Sequence, residues 1–228
     1  MNVSAKDWEK YRDTLGKISQ KAADEFTKFS STYDFMNGSR ADLIKFAHAL
    51  TTKYGEAAGS LAAQYYDEIA KLSKVKGIRA AVVADTADIS DVAKAVNGCL
   101  IQSPEGNKLG QVIYRLVKQV GADTTLQNAK RDGAQFAWIP DGGACAFCIA
   151  LASRGWQYMS REAMDGDHAE HIHANCNCEY AIRFDTKTTY RGYNPDDYKD
   201  IYDEAEGRDS TDKLNSIRRM QYAEVHKD

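Results

Sequence analysis

Ala134-Gln135-Phe136-Ala137-Trp138-Ile139-Pro140 runs directly into Asp141-Gly142-Gly143-Ala144-Cys145-Ala146-Phe147-Cys148. The first half alternates apolar with small or polar residues and stops at a proline. That pattern predicts a short strand. Everything upstream of it reads with a different period. The chain therefore changes character near residue 131, and the fold class that follows is α+β and predominantly helical. A helical body is expected over residues 1–130, and a Cys/His region with short strands over 131–188. A linker with C-terminal helices, a possible docking segment, is expected over 189–228.

Upstream, Trp8, Tyr11, Leu15, Ile18, Ala22, Phe26 and Phe29 recur at spacings of three and four, one face of a helix from Ser4 to about Ser30. Asn37-Gly38-Ser39 is a break. A second helix spans Ala41 to about Leu72, with Gly55 and Gly59 marking a local break or a close helix approach. The two helices form an antiparallel pair. Ile78 to Ala84 reads as a short strand or a buried helical turn, since periodicity does not separate them. Asp88 or Ser90 caps a short helix that ends at Asn97, with Gly98 as its C′ residue. Ser103-Pro104-Glu105-Gly106 is a turn, and a further helix runs from Leu109 to about Ala129.

Downstream, Glu179 to Phe184 alternates as a strand, with Phe136, Trp138, Trp156 and Tyr158 as its packing partners. Tyr190 to Pro195 is a turn-rich linker. Asn194-Pro195 starts a helix. A last helix, about Asp212 to Val225, carries Leu214, Ile217 and Val225 on one side.

The 228 residues carry a net charge of -3 and are 43% hydrophobic and 28% charged. Such a balance offers no domain-wide basic footprint for nucleic acid. No run of 18 apolar residues occurs, so no membrane span is expected. The charged opening Met1 to Asp7 does not read as a secretory signal. Of five cysteines, four fall within positions 145–178. Cys99 stands apart and reads as a small buried hydrophobe.

Reduced to spacing, the cluster is C-x2-C, a gap of 24 residues, then H-x2-C-x-C. Thiolates two residues apart can turn toward one tetrahedral ion, with Zn–S about 2.3 Å. Cys145 and Cys148 supply the first half. His173, Cys176 and Cys178 supply the second, with His171 as a further candidate. The preferred set is Cys145, Cys148, His173 and Cys176, because the one-residue gap makes joint binding by Cys176 and Cys178 awkward. All four cysteines form the competing set, and disulfides between the two halves remain an alternative. One structural zinc would tie both ends of an excursion that has little core of its own.

Catalytic readings lose on order and spacing. His168-Ala169-Glu170 lacks the following P-C-x-x-C of a zinc deaminase. No H-E-x-x-H, G-x-G-x-x-G or P-loop occurs. A thioredoxin-like site would need βαβ order. The main enzymatic rival is a metal-dependent nuclease built on Asp165, Asp167, His168 and His171. A cellular zinc-bearing interaction module is the other alternative.

The run Ala144 to Tyr158, followed by His171-Ile172-His173-Ala174-Asn175-Cys176-Asn177-Cys178, resembles the MuF-like minor capsid proteins of tailed phages, in their actinobacterial-phage branch. The resemblance covers roughly residues 120–185 and selects Cys145, Cys148, Gly155, Tyr158, His173, Cys176 and Cys178. Ala174 stands where the family usually has proline, and Asn177 where it often has arginine. The resemblance implies a non-enzymatic head protein acting in morphogenesis or DNA delivery. It would sit in the capsid interior or portal region of the virion, and in the host cytoplasm during assembly. Its partners would be the portal or major capsid protein and packaged DNA, with no membrane and no small-molecule substrate.

Overall fold

The computed structural model describes residues 1–158 and 176–226. Helix α1 spans Ala5–Ser30, and the Ser4 hydroxyl caps it by accepting from the Asp7 amide. Trp8, Tyr11, Leu15, Ala22 and Phe26 form its buried face. At the break, Asp34 collects the amides of Met36 and Asn37, and Ser39 caps α2, Arg40–Ser73. Phe29 meets Phe46, while Tyr11 stacks on Tyr65 with ring centroids 4.1 Å apart. The end of α1 thus meets the start of α2 and the reverse, so the pair is antiparallel.

Gly55 and Gly59 do not break α2; they admit neighbours. A Cβ on Gly59 would stand 2.5 Å from Val83 Cγ1 and 3.1 Å from Thr124 Oγ1. One on Gly55 would stand 2.9 Å from Thr86 Cγ2. Residues 78–84 are neither strand nor helical turn. They form an extended strap over α2 and α4 whose backbone is answered by side chains. Ala81 N–H donates to Asp67, Val82 N–H to Asn128 and Ala84 N–H to Thr124. Asn128 returns a bond to the Val82 carbonyl, and Arg131 donates to the carbonyls of Arg79 and Ala80.

Asp88 caps α3, Ile89–Gln102, as its two amide bonds show. The helix passes through Gly98 rather than ending there. Val92, Val96 and Leu100 continue one buried stripe past the glycine, and Cys99 packs partly buried on the core. Helix α4, Leu109–Asp132, ends at Gly133 in the left-handed region (φ 64°). It packs against both α1 and α2.

Strand β2, Gln135–Ile139, is the centre of a three-stranded antiparallel sheet. Its neighbours are β3, Gln157–Tyr158, and β4, Glu179–Arg183. Phe136 and Trp138 pack edge-on against Tyr180, as expected of β4 partners. Trp156 receives the Arg183 guanidinium over its ring at 4.6 Å. Tyr158 does not reach β4, because β2 lies between the two strands, and it stays exposed. Gly155 makes the turn before β3 with φ 62°.

An unforeseen parallel pairing joins β1, Asn2–Val3, to β5, Thr189–Tyr190. Tyr190 opens the expected linker, yet it is buried, edge-on to Trp8 at 5.2 Å, and donates to the Ile182 carbonyl. Helix α5, Ala146–Ala152, lies between β2 and β3. It supports α6, Pro195–Glu204, and α7, Ser210–Val225. Ile217 is fully buried there, whereas Val225 is exposed, correcting its place on the apolar side. One core cluster joins the four long helices to Ile139, Ala181 and Ile182 of the sheet. No described helix is long and apolar enough to cross a membrane.

The glycines give a paired test by denaturant melting. A Cβ on Gly98 meets nothing within 4 Å, so Gly98→Ala gains helix propensity and stabilises by about 0.5–1 kcal/mol. Gly59→Ala makes the same helical gain but presses α2 off the strap and α4, and destabilises by about 1–3 kcal/mol.

Candidate metal centre

The two halves of the cysteine motif reach one point by different local geometries. Cys145 is the N-cap of α5 and Cys148 lies in its first turn. Residues three apart on a helix share a face. Cys176 and Cys178 precede β4 in non-helical chain, where alternate residues share a face. The one-residue gap that looked awkward does not keep the two sulfurs from one point.

The Sγ atoms of Cys148, Cys176 and Cys178 lie within 4.8 Å of one another, and all three side chains are buried. Cys148 Sγ and Cys176 Sγ are 3.6 Å apart. A disulfide would need about 2.05 Å. Sulfurs bound tetrahedrally at about 2.3 Å would stand about 3.8 Å apart. The arrangement fits three ligands of one ion better than a covalent pair. Three buried cysteines are thus placed to hold a metal ion. Cys145 is half-buried and falls outside this trio, although its thiol is hydrogen-bonded to Cys148. His168, His171 and His173 lie outside the described residues, as do Asp165 and Asp167.

The helical body holds the second half. Lys118 of α4 donates to the carbonyls of both Cys176 and Cys178, the latter at 2.8 Å. Tyr114, one turn earlier, donates to the Cys176 carbonyl at 3.4 Å. Asn177 donates to Asp13 of α1, and Gly16 leaves room for its side chain. The Asp141 amide donates to Cys178 Sγ at 3.2 Å. Arg12 of α1 in turn donates to the Pro140 carbonyl. Around the sulfurs, Ala122, Leu126, Trp138, Leu151 and Tyr180 complete an apolar shell.

The electrostatics favour a shared thiolate. Hydrogen bonding with Cys145, Cys176 and Cys178, reinforced by burial, pushes the Cys148 thiol far above its ordinary value. Hydrogen bonds from Cys148 and Cys178 hold Cys176 well below it against the burial penalty, with help from the Lys118 ammonium. The buried thiols thus share their protons through direct hydrogen bonds. A divalent ion would displace the remaining protons, so its binding strengthens as pH rises. Glu179, fully buried beside the centre, is pushed up to about 7 by desolvation, partly offset by Lys118.

Sequence reasoning missed Lys118, Tyr114 and Glu179. The available signal was a lysine inside an apolar helix stretch, Leu116-Val117-Lys118-Gln119-Val120, four residues after Tyr114.

Comparison with known proteins reaches well beyond the motif. No curated protein and no solved structure matches it. The family model described as VG15 protein matches residues 2–205, from β1 to the end of α6. The chain therefore belongs to the VG15 protein family, which marks it as phage-associated.

Proposed function

We propose that this chain is a structural, non-enzymatic protein of a tailed-phage head, in the manner of the MuF-like minor capsid proteins. It acts in head morphogenesis or DNA delivery through association with the portal or major capsid protein, inside the capsid or near the portal. Its cysteine centre holds one structural zinc ion. The observation that carries this reading is the burial of Cys148, Cys176 and Cys178 around one point, in a chain of a phage-associated family. The same cysteines belong to the composite motif that resembles the minor capsid proteins.

Cys148, Cys176 and Cys178 hold three positions of the ion, and Cys145 or His173 supplies the fourth. A zinc ion there supplies a cross-link. It ties α5 to the start of β4, two elements 27 residues apart along the chain. Buried thiolate ligands suit that task, since a structural site is closed and a catalytic one keeps an open position. The acidic α6 and the exposed end of α7 supply surface for a partner within the 189–228 docking segment.

Elemental mass spectrometry of freshly purified, reduced protein should find one zinc per chain. Cys148→Ser, Cys176→Ser and Cys178→Ser should each lose it, and Cys99→Ser should keep it. A metal held at a thousand times its Kd adds about 4 kcal/mol. Removing it should lower the melting temperature by about 8–16 °C for a chain of this size. An unchanged melt after complete chelation sinks the staple.

The particle assignment has its own test. In gradient-purified heads the chain should co-sediment at low copy number, and a phage unable to make it should yield defective heads. Fully infectious particles without the chain, or metal-dependent DNA cleavage by the purified protein, would overturn the structural reading.

A further inference from the structure

Lys118 is 2% exposed, in the middle of the helix that packs on α1 and α2. A buried ammonium is retained only where its donors are satisfied. Here they go chiefly to backbone. Two bonds reach the carbonyls of Cys176 and Cys178. The Glu179 carboxylate stands farther off, at 3.8 Å. Glu179 spends its other oxygen on the Tyr180 amide, 2.9 Å away. The lysine is therefore a clamp on the cysteine segment first and an ion-pair partner second.

The clamp has a geometric consequence. Carbonyls of alternate residues in a flat strand are about 6.7 Å apart, twice the rise per residue. One ammonium forming two bonds of about 2.8 Å spans at most about 5.6 Å. Bonding both carbonyls requires the segment to be pinched between Cys176 and Cys178. Between the two cysteines the Asn177 side chain bonds Asp13 of α1. The pinch leaves the two sulfurs converging on Cys148. The charge matters as well. Three thiolates around a divalent ion leave a net negative group in an apolar shell, and Lys118 places a cation beside it.

We propose that Lys118 is the positioning residue of the metal centre: it pinches the C-x-C segment so that both cysteines bind one ion, and it balances the charge of the thiolate set. This inference rests on the metal reading above and extends it to a residue outside the motif.

The test uses the full-length protein and Co2+ alone as probe, read by its thiolate charge-transfer and d–d absorption. Three proteins are compared: wild type, Lys118→Met, and Lys118→Met/Glu179→Gln. The double variant removes the carboxylate that Lys118→Met alone leaves buried without its cation. Helix content and the melting temperature of the chelated forms establish folding independently of metal.

The expected result is a double variant folded like wild type that binds Co2+ about 10–100-fold more weakly, as outer-shell changes do. Its charge-transfer intensity should also fall, because one cysteine leaves the ion. Wild-type affinity and spectrum in the folded double variant would overturn the proposal. So would a double variant that does not fold, since Lys118 would then serve folding rather than the ion. Wild-type protein that takes up no Co2+ would instead overturn the metal reading itself, whatever the variants do.

Discussion

Backbone that leaves helices and sheets still has to find partners for its amides and carbonyls, and in this protein α4 provides them on two sides. Thr124 and Asn128 reach residues 82–84 of the strap, and Arg131 reaches its carbonyls at Arg79 and Ala80. Tyr114 and Lys118 reach the carbonyls of the C-x-C segment. The same helix is buried along its length by α1 and α2. A polar residue on such a helix is costly unless its bonds are made. The two irregular segments and the polar residues of α4 therefore require one another. Gly59 serves this arrangement by letting the strap lie close to α2, and Gly55 admits Thr86 just beyond it.

The elements legible in the sequence are those whose burial is periodic. Trp8, Tyr11, Leu15, Ala22 and Phe26 fixed α1 to within a residue, and Asn194 was readable as a helix start because its side chain serves a local amide. The alternation from Ala134 to Ile139 located β2. Failures came where a distant partner overrides a local signal. Gly98 has the residue type of a helix end, but the stripe Val92, Val96, Leu100 continues beyond it. Tyr190 lies in a turn-rich stretch, but Trp8 and β1, nearly the whole chain away, bury it. The strap has no period at all, because its bonds run to side chains of Asp67, Thr124 and Asn128.

At the centre, the spacing of thiols was readable and their surroundings were not. C-x2-C and C-x-C announce ligands, yet the same spacing does not say that the first pair starts a helix and the second lies in extended chain. The trio that converges, Cys148, Cys176 and Cys178, takes one member from the first pair and both from the second. The second pair is held by α4 and α1, through Lys118, Tyr114 and Asp13, none of which lies within 20 residues of the motif. A ligand motif specifies chemistry, whereas the supporting shell specifies geometry.

Helix α5 connects this centre to the C-terminal surface. Cys148 and Leu151 belong to the cluster around the sulfurs. Ala146 and Ile149 face the other way, into a cluster with Ile217 and Ala205 and with Tyr198 and Ile201 of α6 alongside. Gln221 of α7 also donates to the Ala144 carbonyl just before the helix. A helix of seven residues is too short to hold its own conformation in water. It is fixed from both sides, by sulfur packing on one face and by α6 and α7 on the other. An ion bound at Cys148 would thus hold more than the excursion between the two halves of the motif. It would also fix the platform on which the C-terminal helices rest, so the surface they present depends on a site buried one helix-width beneath it.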